Sequence, residues 1–423
     1  METHLADWIR GSEAGDEAEA ILRSCVHCGF CNATCPTYQL LGDELDGPRG
    51  RIYQIKQMLE GQPATASTRL HLDRCLTCMN CETTCPSGVQ YGRLVDIGRA
   101  AIEQRAPRSA AQRAKRRVLR FALTQRWLFA AAVRIGRAVR VVLPSGLRAK
   151  LPQLRDAGPT PARTHARKVL LLNGCVQPAL MPAIDAATAR VLDALGIQTI
   201  VASRSGCCGA IDQHLAAHDA AKDAARRNID AWWPHLERGV EAIVINASGC
   251  GAMVKDYAHL LAHDSGYAQK ALHVAGSTRD LAEFLAPSAK ALSARMERSP
   301  AEPLPRLAFH PPCTLQHTQK LRGVTESLLT ALGAELVPVA DAHLCCGSAG
   351  TYSVLQPALA KQLRTNKLDA LQRGKPDLIL SANIGCLAHL ETGSDVPVRH
   401  WIEWIDSRLA DSKRSSPHGR SMH

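Results

Sequence analysis

The sequence predicts an α+β multidomain chain: a helical N-terminal domain, a basic helical connector, and two tandem α/β domains. Three observations lead there. Sixteen cysteines fall into two sets of eight, and each set is itself a repeat. Thirteen Lys or Arg and no Asp or Glu stand between Arg105 and Lys150, and removing them from the net charge of +12 leaves −1 for the rest. From Lys168 onward, short apolar runs alternate with helical stretches, twice and in the same order. A length of 423 residues suits several domains, and 46% apolar with 21% charged residues is ordinary for globular protein.

The N-terminal set begins with Cys25, Cys28, Cys31 and Cys35, spaced C-x2-C-x2-C-x3-C and followed by Pro36. Fifty residues on, Cys75, Cys78, Cys81 and Cys85 repeat it position by position, followed by Pro86. This run holds 4Fe–4S clusters in bacterial-type ferredoxins, where the fourth cysteine serves the other cluster. Cys25, Cys28, Cys31 and Cys85 are therefore expected on one cluster, and Cys75, Cys78, Cys81 and Cys35 on the second. Zinc knuckles use two pairs of ligands, which the doubled run does not match. Two clusters that exchange ligands must lie close, which makes an electron conduit. Between the runs, Glu44 to Leu59 has helical spacing after the Gly47-Pro48 break. Residues 1–104 thus predict a helical ferredoxin domain, similar to that of succinate dehydrogenase iron–sulfur subunits.

Residues 105–165 are the connector. Phe121, Trp127, Leu128, Val133, Ile135 and Val139 recur at helical spacing with arginines between them, a basic amphipathic helix or helix pair. A membrane surface, an acidic partner and nucleic acid compete as its target, against a plain connecting hairpin with solvated arginines. The longest strictly apolar run, Trp127 to Val133, is far below the ~20 residues of a membrane span. The polar, acidic opening METHLADWIRGSEAGDEAEA predicts no signal peptide, so a reducing cytoplasmic setting is expected, with peripheral attachment to the inner membrane.

The second set repeats at domain scale. Cys175, Cys207, Cys208 and Cys250 recur as Cys313, Cys345, Cys346 and Cys386, with shifts of 138 for the first three and 136 for the last. Each repeat predicts a strand (Lys168–Leu172; Arg306–Phe309), a helix ending at a glycine (Gly196; Gly333), and a second strand (Thr199–Ala202; Glu335–Val339) leading to Cys-Cys-Gly. A long helix and a third strand follow (Ala242–Ile245; Leu378–Ser381). Such alternation implies parallel sheets, with the cysteines beyond the strand C-termini where open α/β sheets bind ligands. The expected domains are residues 166–300 and 301–410, with a disordered tail over 411–423. Each four-cysteine crevice is a metal or redox site: a further cluster, zinc, or thiol–disulfide chemistry, against buried cysteines acting as small hydrophobes. His310 and His343 stand beside Cys313 and Cys345 as ligand or proton-relay candidates.

Neither G-x-G-x-x-G nor G-x4-G-K-S/T occurs. With electron carriers but no site for hydride chemistry, a flavin is expected in a different subunit, and no catalytic residue in this chain.

From about Ile21 to Leu409 the chain resembles the iron–sulfur subunit of bacterial glycolate oxidase (glycolate dehydrogenase). The strings that carry the likeness are CVHCGFCNATCPTYQLLGDELDGPRGRIYQIK, CLTCMNCETTCPSG, NIDAWWP, ASGCGAMVK, CTLQHTQKL, HLCCGSAGTY, ANIGC and VRHWIEW. Several of them owe nothing to cysteine. The resemblance implies tandem cysteine-rich (CCG) domains and cluster ligation by the eight N-terminal cysteines. It implies an FAD-containing glycolate oxidase subunit and a second FAD-binding-type subunit as partners. It also implies electron flow from glycolate or D-lactate toward a quinone or other membrane acceptor, with no nucleic acid. A glycerol-3-phosphate dehydrogenase or heterodisulfide/quinone reductase complex is the alternative setting. The wider cysteine-rich family ends each repeat with C-x-x-C. Here Ala247 and Asn383 replace the first of those cysteines, which leaves four thiols per repeat where the full pattern has five.

Overall fold

The computed structural model describes residues 1–144, 148, 151–296 and 304–415, with side chains to residue 410. The expected boundary at 300/301 and the tail from 416 lie outside the described residues. The rest of the expected tail, to Ser415, is helical: the last helix is Trp401–Ser415. The chain forms two compact units that do not follow its linear order. The first joins Met1–Arg120 to Ile211–His218 and His343–Lys367, and the second takes the remainder.

The first unit is helical. Glu13–Ser24, Pro48–Leu59, Ala66–Asp73 and Tyr91–Arg105 enclose Leu22, Ile55, Leu59, Leu72, Leu94 and Val95, all fully buried. The helix expected after the Gly47-Pro48 break starts at Pro48, because Gly47 is extended and proline fits a first helical turn whose N–H has no partner anyway. A 3-10 turn, Glu44–Asp46, precedes it. Two short helices, Phe30–Ala33 and Asn80–Thr84, occupy equivalent places in the two cysteine runs.

The second unit contains two parallel four-stranded sheets. In the first, β1 (Arg167–Leu171), β2 (Ile197–Ile200), β3 (Ala242–Ile245) and β4 (Thr278–Asp280) run in the order β2-β1-β3-β4. In the second, β5 (Arg306–His310), β6 (Glu335–Leu336), β7 (Leu378–Ser381) and β8 (Val398–His400) run in the order β6-β5-β7-β8. The sequence predicts three strands per repeat. The fourth of each, β4 and β8, has only three residues with an arginine in the middle, too short for an apolar pattern to register. β6 stops at Leu336 rather than Val339, since Pro338 has no N–H to give a ladder.

The repeats grip each other at the C-terminal ends of β8 and β4. His400 Nε2 lies 2.9 Å from the Asn246 carbonyl, and Gln319 Nε2 donates to Asp280 Oδ2 at 3.2 Å. Burial pushes the His400 imidazole down to about 3, so it stays neutral.

The glycine of each Cys-Cys-Gly has a specific reason. Gly209 and Gly347 have φ of +93° and +86°, and an added Cβ would meet the Ala221 carbonyl oxygen at 3.1 Å and that of Ala360 at 2.7 Å. A left-handed backbone pressed against a helix leaves room only for hydrogen. Gly209→Ala should destabilise the chain by about 1–3 kcal/mol in urea denaturation.

Candidate metal centres

The first cysteine run is curled by its backbone. His27 and Gly29 are left-handed, and so are Thr77 and Met79 at the equivalent places, with φ of 59°, 89°, 51° and 60°. Three of the four are not glycine, a conformation that costs about 1 kcal/mol or more each. The curl turns N–H groups inward, and Thr77 N donates to Cys75 Sγ at 3.4 Å. Such inward-facing amides make an anion-binding concavity. The two runs meet on an internal pseudo-axis, where Thr34 and Thr84, fifty positions apart, share a hydrogen bond of 3.0 Å.

Two cavities result. Cys25, Cys28, Cys31 and Cys85 line one of about 440 Å³, and Cys81 reaches its wall. Cys35, Cys75, Cys78 and Cys81 line the other, of about 290 Å³. In both, the fourth cysteine of one run stands with the first three of the other.

The sulfurs repel one another. Burial and the neighbouring Cys25 push the Cys31 thiol up to about 11. Burial and the Cys78, Cys75 and Cys35 sulfurs push Cys81 well up. Burial also acts on Cys75, yet the Arg51 and Arg99 guanidiniums and the Tyr91 hydroxyl bring it below the ordinary thiol value. Crowded, desolvated thiols of this kind fit an iron–sulfur core, whose positive metal deprotonates its ligands outright.

The surroundings of the second cavity were not legible as site residues in the sequence. Arg51 is buried with Nη1 3.9 Å from Cys35 Sγ. Its Nη2 lies 3.4 Å from Asp46, which also takes Arg74 at 2.7 Å and faces His71 Nδ1 at 3.1 Å. Thr37 Oγ1 stands 3.2 Å from Cys35 Sγ, and Tyr91 OH donates to Cys75 Sγ at 3.4 Å. The segment His343–Lys367 closes this side: Asn80 Nδ2 donates to the His343 carbonyl at 3.4 Å, and Tyr352 and Thr351 line a cavity with Cys75 and Thr77.

In the second unit, Cys175, Cys207, Cys208 and Cys250 come together. The Cys175 and Cys208 thiols hydrogen-bond to Cys207, and with the Gly209 N–H and Arg227 they hold its thiol well below the ordinary value. Cys250 hydrogen-bonds to Cys208, and it sits in the first turn of the helix Ser248–Lys255 rather than in a loop. Asn228 and Tyr257 clamp the Cys-Cys backbone: Asn228 Nδ2 donates to the Cys207 carbonyl at 2.9 Å and Tyr257 OH to that of Cys208 at 2.8 Å. The only sequence sign of Asn228 was its place in NIDAWWP. The second quartet is divided, with Cys345 and Cys346 in the first unit and Cys313, Cys386 and His310 in the second. Asn383, standing where the wider family has cysteine, donates to Cys386 Sγ at 3.6 Å.

The connector forms two helices, Ala110–Thr124 and Arg126–Ala138. In the first, several arginines are not simply solvated: Arg116 pairs with Asp73 at 2.9 Å and Arg120 with Asp212 at 3.1 Å. In the second, Trp127 is 69% exposed, and beyond it Val141 and Val142 are 86% and 80% exposed. Among the described residues, no helix is long and apolar enough to cross a membrane.

A 4Fe-4S dicluster domain model matches residues 21–89, and a cysteine-rich domain model matches 169–255 and 307–391. The chain is 53% identical to the glycolate oxidase iron-sulfur subunit of Escherichia coli (strain K12), over 97% of this chain and 99% of that protein. The chain belongs to the glycolate oxidase iron–sulfur subunit family. It is thereby an electron-transfer subunit of an oxidoreductase complex, and its cofactors are iron–sulfur clusters. In the same family, the "Probable glycolate oxidase iron-sulfur subunit" of Bacillus subtilis (strain 168) is 29% identical over 90% of each chain. Lactate utilization protein A of Geobacillus kaustophilus (strain HTA426) is 27% identical over 57% of this chain and 99% of its own.

Asp46 is fully buried between two guanidiniums. Asp46→Ala would leave Arg51 buried without its carboxylate and should destabilise the chain by about 3–5 kcal/mol in urea denaturation, whether or not metal is bound.

Proposed function

We propose that this chain carries electrons within a flavin-dependent glycolate dehydrogenase, from an FAD-containing partner subunit toward a quinone-type acceptor. In this reading Cys25, Cys28, Cys31 and Cys85 hold one 4Fe–4S cluster, and Cys75, Cys78, Cys81 and Cys35 hold the other. The observation that carries it is the pair of four-cysteine cavities with Cys81 on the wall of both. Bound clusters supply one-electron carriers, so the pair matches the two electrons released when glycolate becomes glyoxylate in the flavoprotein. The chain's own part is to hold the thiolates at a fixed spacing through the Thr34–Thr84 bond and to keep water from Cys35, Cys75, Cys78 and Cys81, all buried. A second FAD-binding-type subunit completes the assembly. The lactate utilization relatives support lactate as a second substrate, and in this reading it is D-lactate, oxidised to pyruvate by the same partner.

Cys175, Cys207, Cys208 and Cys250 form a further metal or redox site in this reading, and Cys313, Cys345, Cys346 and Cys386 are its counterpart. The mutual hydrogen bonding of the first four thiols supports it. After anaerobic purification, about eight irons per chain corresponds to two cubanes, and about twelve or more to occupied crevices as well. With the flavoprotein partner present, glycolate should reduce the clusters and produce EPR signals. Clusters that stay oxidised under those conditions refute the substrate assignment.

The connector supports attachment to the inner face of the cell membrane. Exposed Trp127 and Ile135 on the helix, and Val141 and Val142 beyond it, lie near Arg134 and Arg140, the combination that seats an amphipathic segment on anionic lipid, whereas Arg137 is held by the Ala179 and Leu180 carbonyls. The complex should bind phosphatidylglycerol vesicles and come off at high salt, with about 1 kcal/mol lost per arginine removed. Binding unaffected by both salt and removal of those arginines would refute it.

A further inference from the structure

The two cavities have matching ligands and unlike surroundings. Around Cys25, Cys28, Cys31 and Cys85 the wall is apolar and partly open: Cys28 is exposed, and Val26 and Phe30 are 69% and 63% exposed. The nearest guanidinium, Arg49, is matched one-to-one by Glu44 at 2.6 Å. The Met1 ammonium touches the Cys25 carbonyl at 3.0 Å from a partly exposed position, where water screens it. Among the described residues, no side-chain N–H or O–H hydrogen-bonds to these four sulfurs; Asn32 offers Cys31 its carbonyl oxygen at 4.0 Å, an acceptor.

At the other cavity the donors converge on sulfur. Tyr91 OH reaches Cys75 and Arg51 Nη1 reaches Cys35, while Thr37 Oγ1, 3.2 Å from Cys35 Sγ, donates to the Asp46 carbonyl at 2.8 Å. Two guanidiniums, Arg51 and Arg74, share the single carboxylate of Asp46, so the buried group keeps net positive charge. Arg99 adds another cation, donating to the Cys75 carbonyl at 2.7 Å.

We propose that Arg51 and Tyr91 are positioning residues that make the Cys35/Cys75/Cys78/Cys81 cluster the higher-potential one of the pair. The proposal rests on the two-cluster reading above. An added electron makes a thiolate-ligated cluster more negative, and cations and hydrogen bonds to its sulfurs stabilise that state. Burial works the other way, since removing water disfavours the more charged form. The cation prevails because low-dielectric burial strengthens its interaction as well. With clusters bound, an electron from the reduced flavoprotein would move from the site held by Cys25, Cys28, Cys31 and Cys85 to the one held by Cys35, Cys75, Cys78 and Cys81, the first site losing the electron that the second gains.

The test is a potentiometric titration of the full anaerobic chain, followed by EPR. The unmodified chain should show two reduction steps. Cys28→Ser, at the exposed ligand, should displace only the lower step and so mark it. Tyr91→Phe keeps the ring and removes only the hydroxyl; it should lower only the upper step. Arg51→Gln should lower the same step further, and Tyr91→Phe keeps the proposal testable if that variant fails to fold. With about eight irons per chain, displacement of the upper step by Cys28→Ser overturns the inference, as do unmoved midpoints in Tyr91→Phe. Iron well below that content overturns the two-cluster reading and this inference with it.

Discussion

Crowded sulfur is the constraint around which the first unit is arranged. Eight cysteines are drawn into two adjoining pockets, where burial and mutual repulsion oppose the charged thiolates. The chain still spends conformational energy to bring them there, holding His27, Thr77 and Met79 in a left-handed backbone. A positive core would offset that repulsion, so a bound cofactor would stabilise the arrangement. The enclosing helices supply an apolar shell, and the Thr34–Thr84 bond registers one half against the other.

Duplication explains the ligands but not their environment. The cysteine runs and their short helices superpose in sequence by fifty positions, whereas Arg51 and Tyr91 have no counterparts in that repeat, where Ala101 and Leu41 stand at the matching positions. The cysteine-rich repeats behave similarly. Both use a left-handed glycine pressed against a helix after Cys-Cys, yet Ala247 and Asn383 occupy equivalent positions with different consequences. Asn383 bonds to Cys386 and accepts from the Gly249 N–H, tying one repeat to the other, while Ala247 offers no polar atom.

Much of this was legible in the chain itself. Cysteine spacing pointed to the two four-cysteine cavities because ligand geometry demands short fixed intervals, and short apolar runs carried the parallel sheets because β1, β3, β5 and β7 each hold a buried run such as Val169–Leu171 or Ala242–Ile245. What escaped depends on contacts between distant positions. Arg51 looks like one more basic residue in PRGRIYQIK until folding buries it beside Cys35, and Asn228 looks like a surface polar residue on an amphipathic helix. β4 and β8 are too short to leave a pattern. The pairing of Arg116 and Arg120 with Asp73 and Asp212 was equally hidden, since charge counting cannot see partners far along the chain.

The membership of His343–Lys367 in the first unit bears on biosynthesis. A ribosome makes both cysteine runs within its first hundred residues, but the stretch that covers the Cys75 side emerges some 250 residues later. At typical elongation rates of about 5–20 residues per second, that interval lasts on the order of ten seconds or more. During it the nascent pockets stand open to whatever delivers iron and sulfide, and the lid is translated only afterwards.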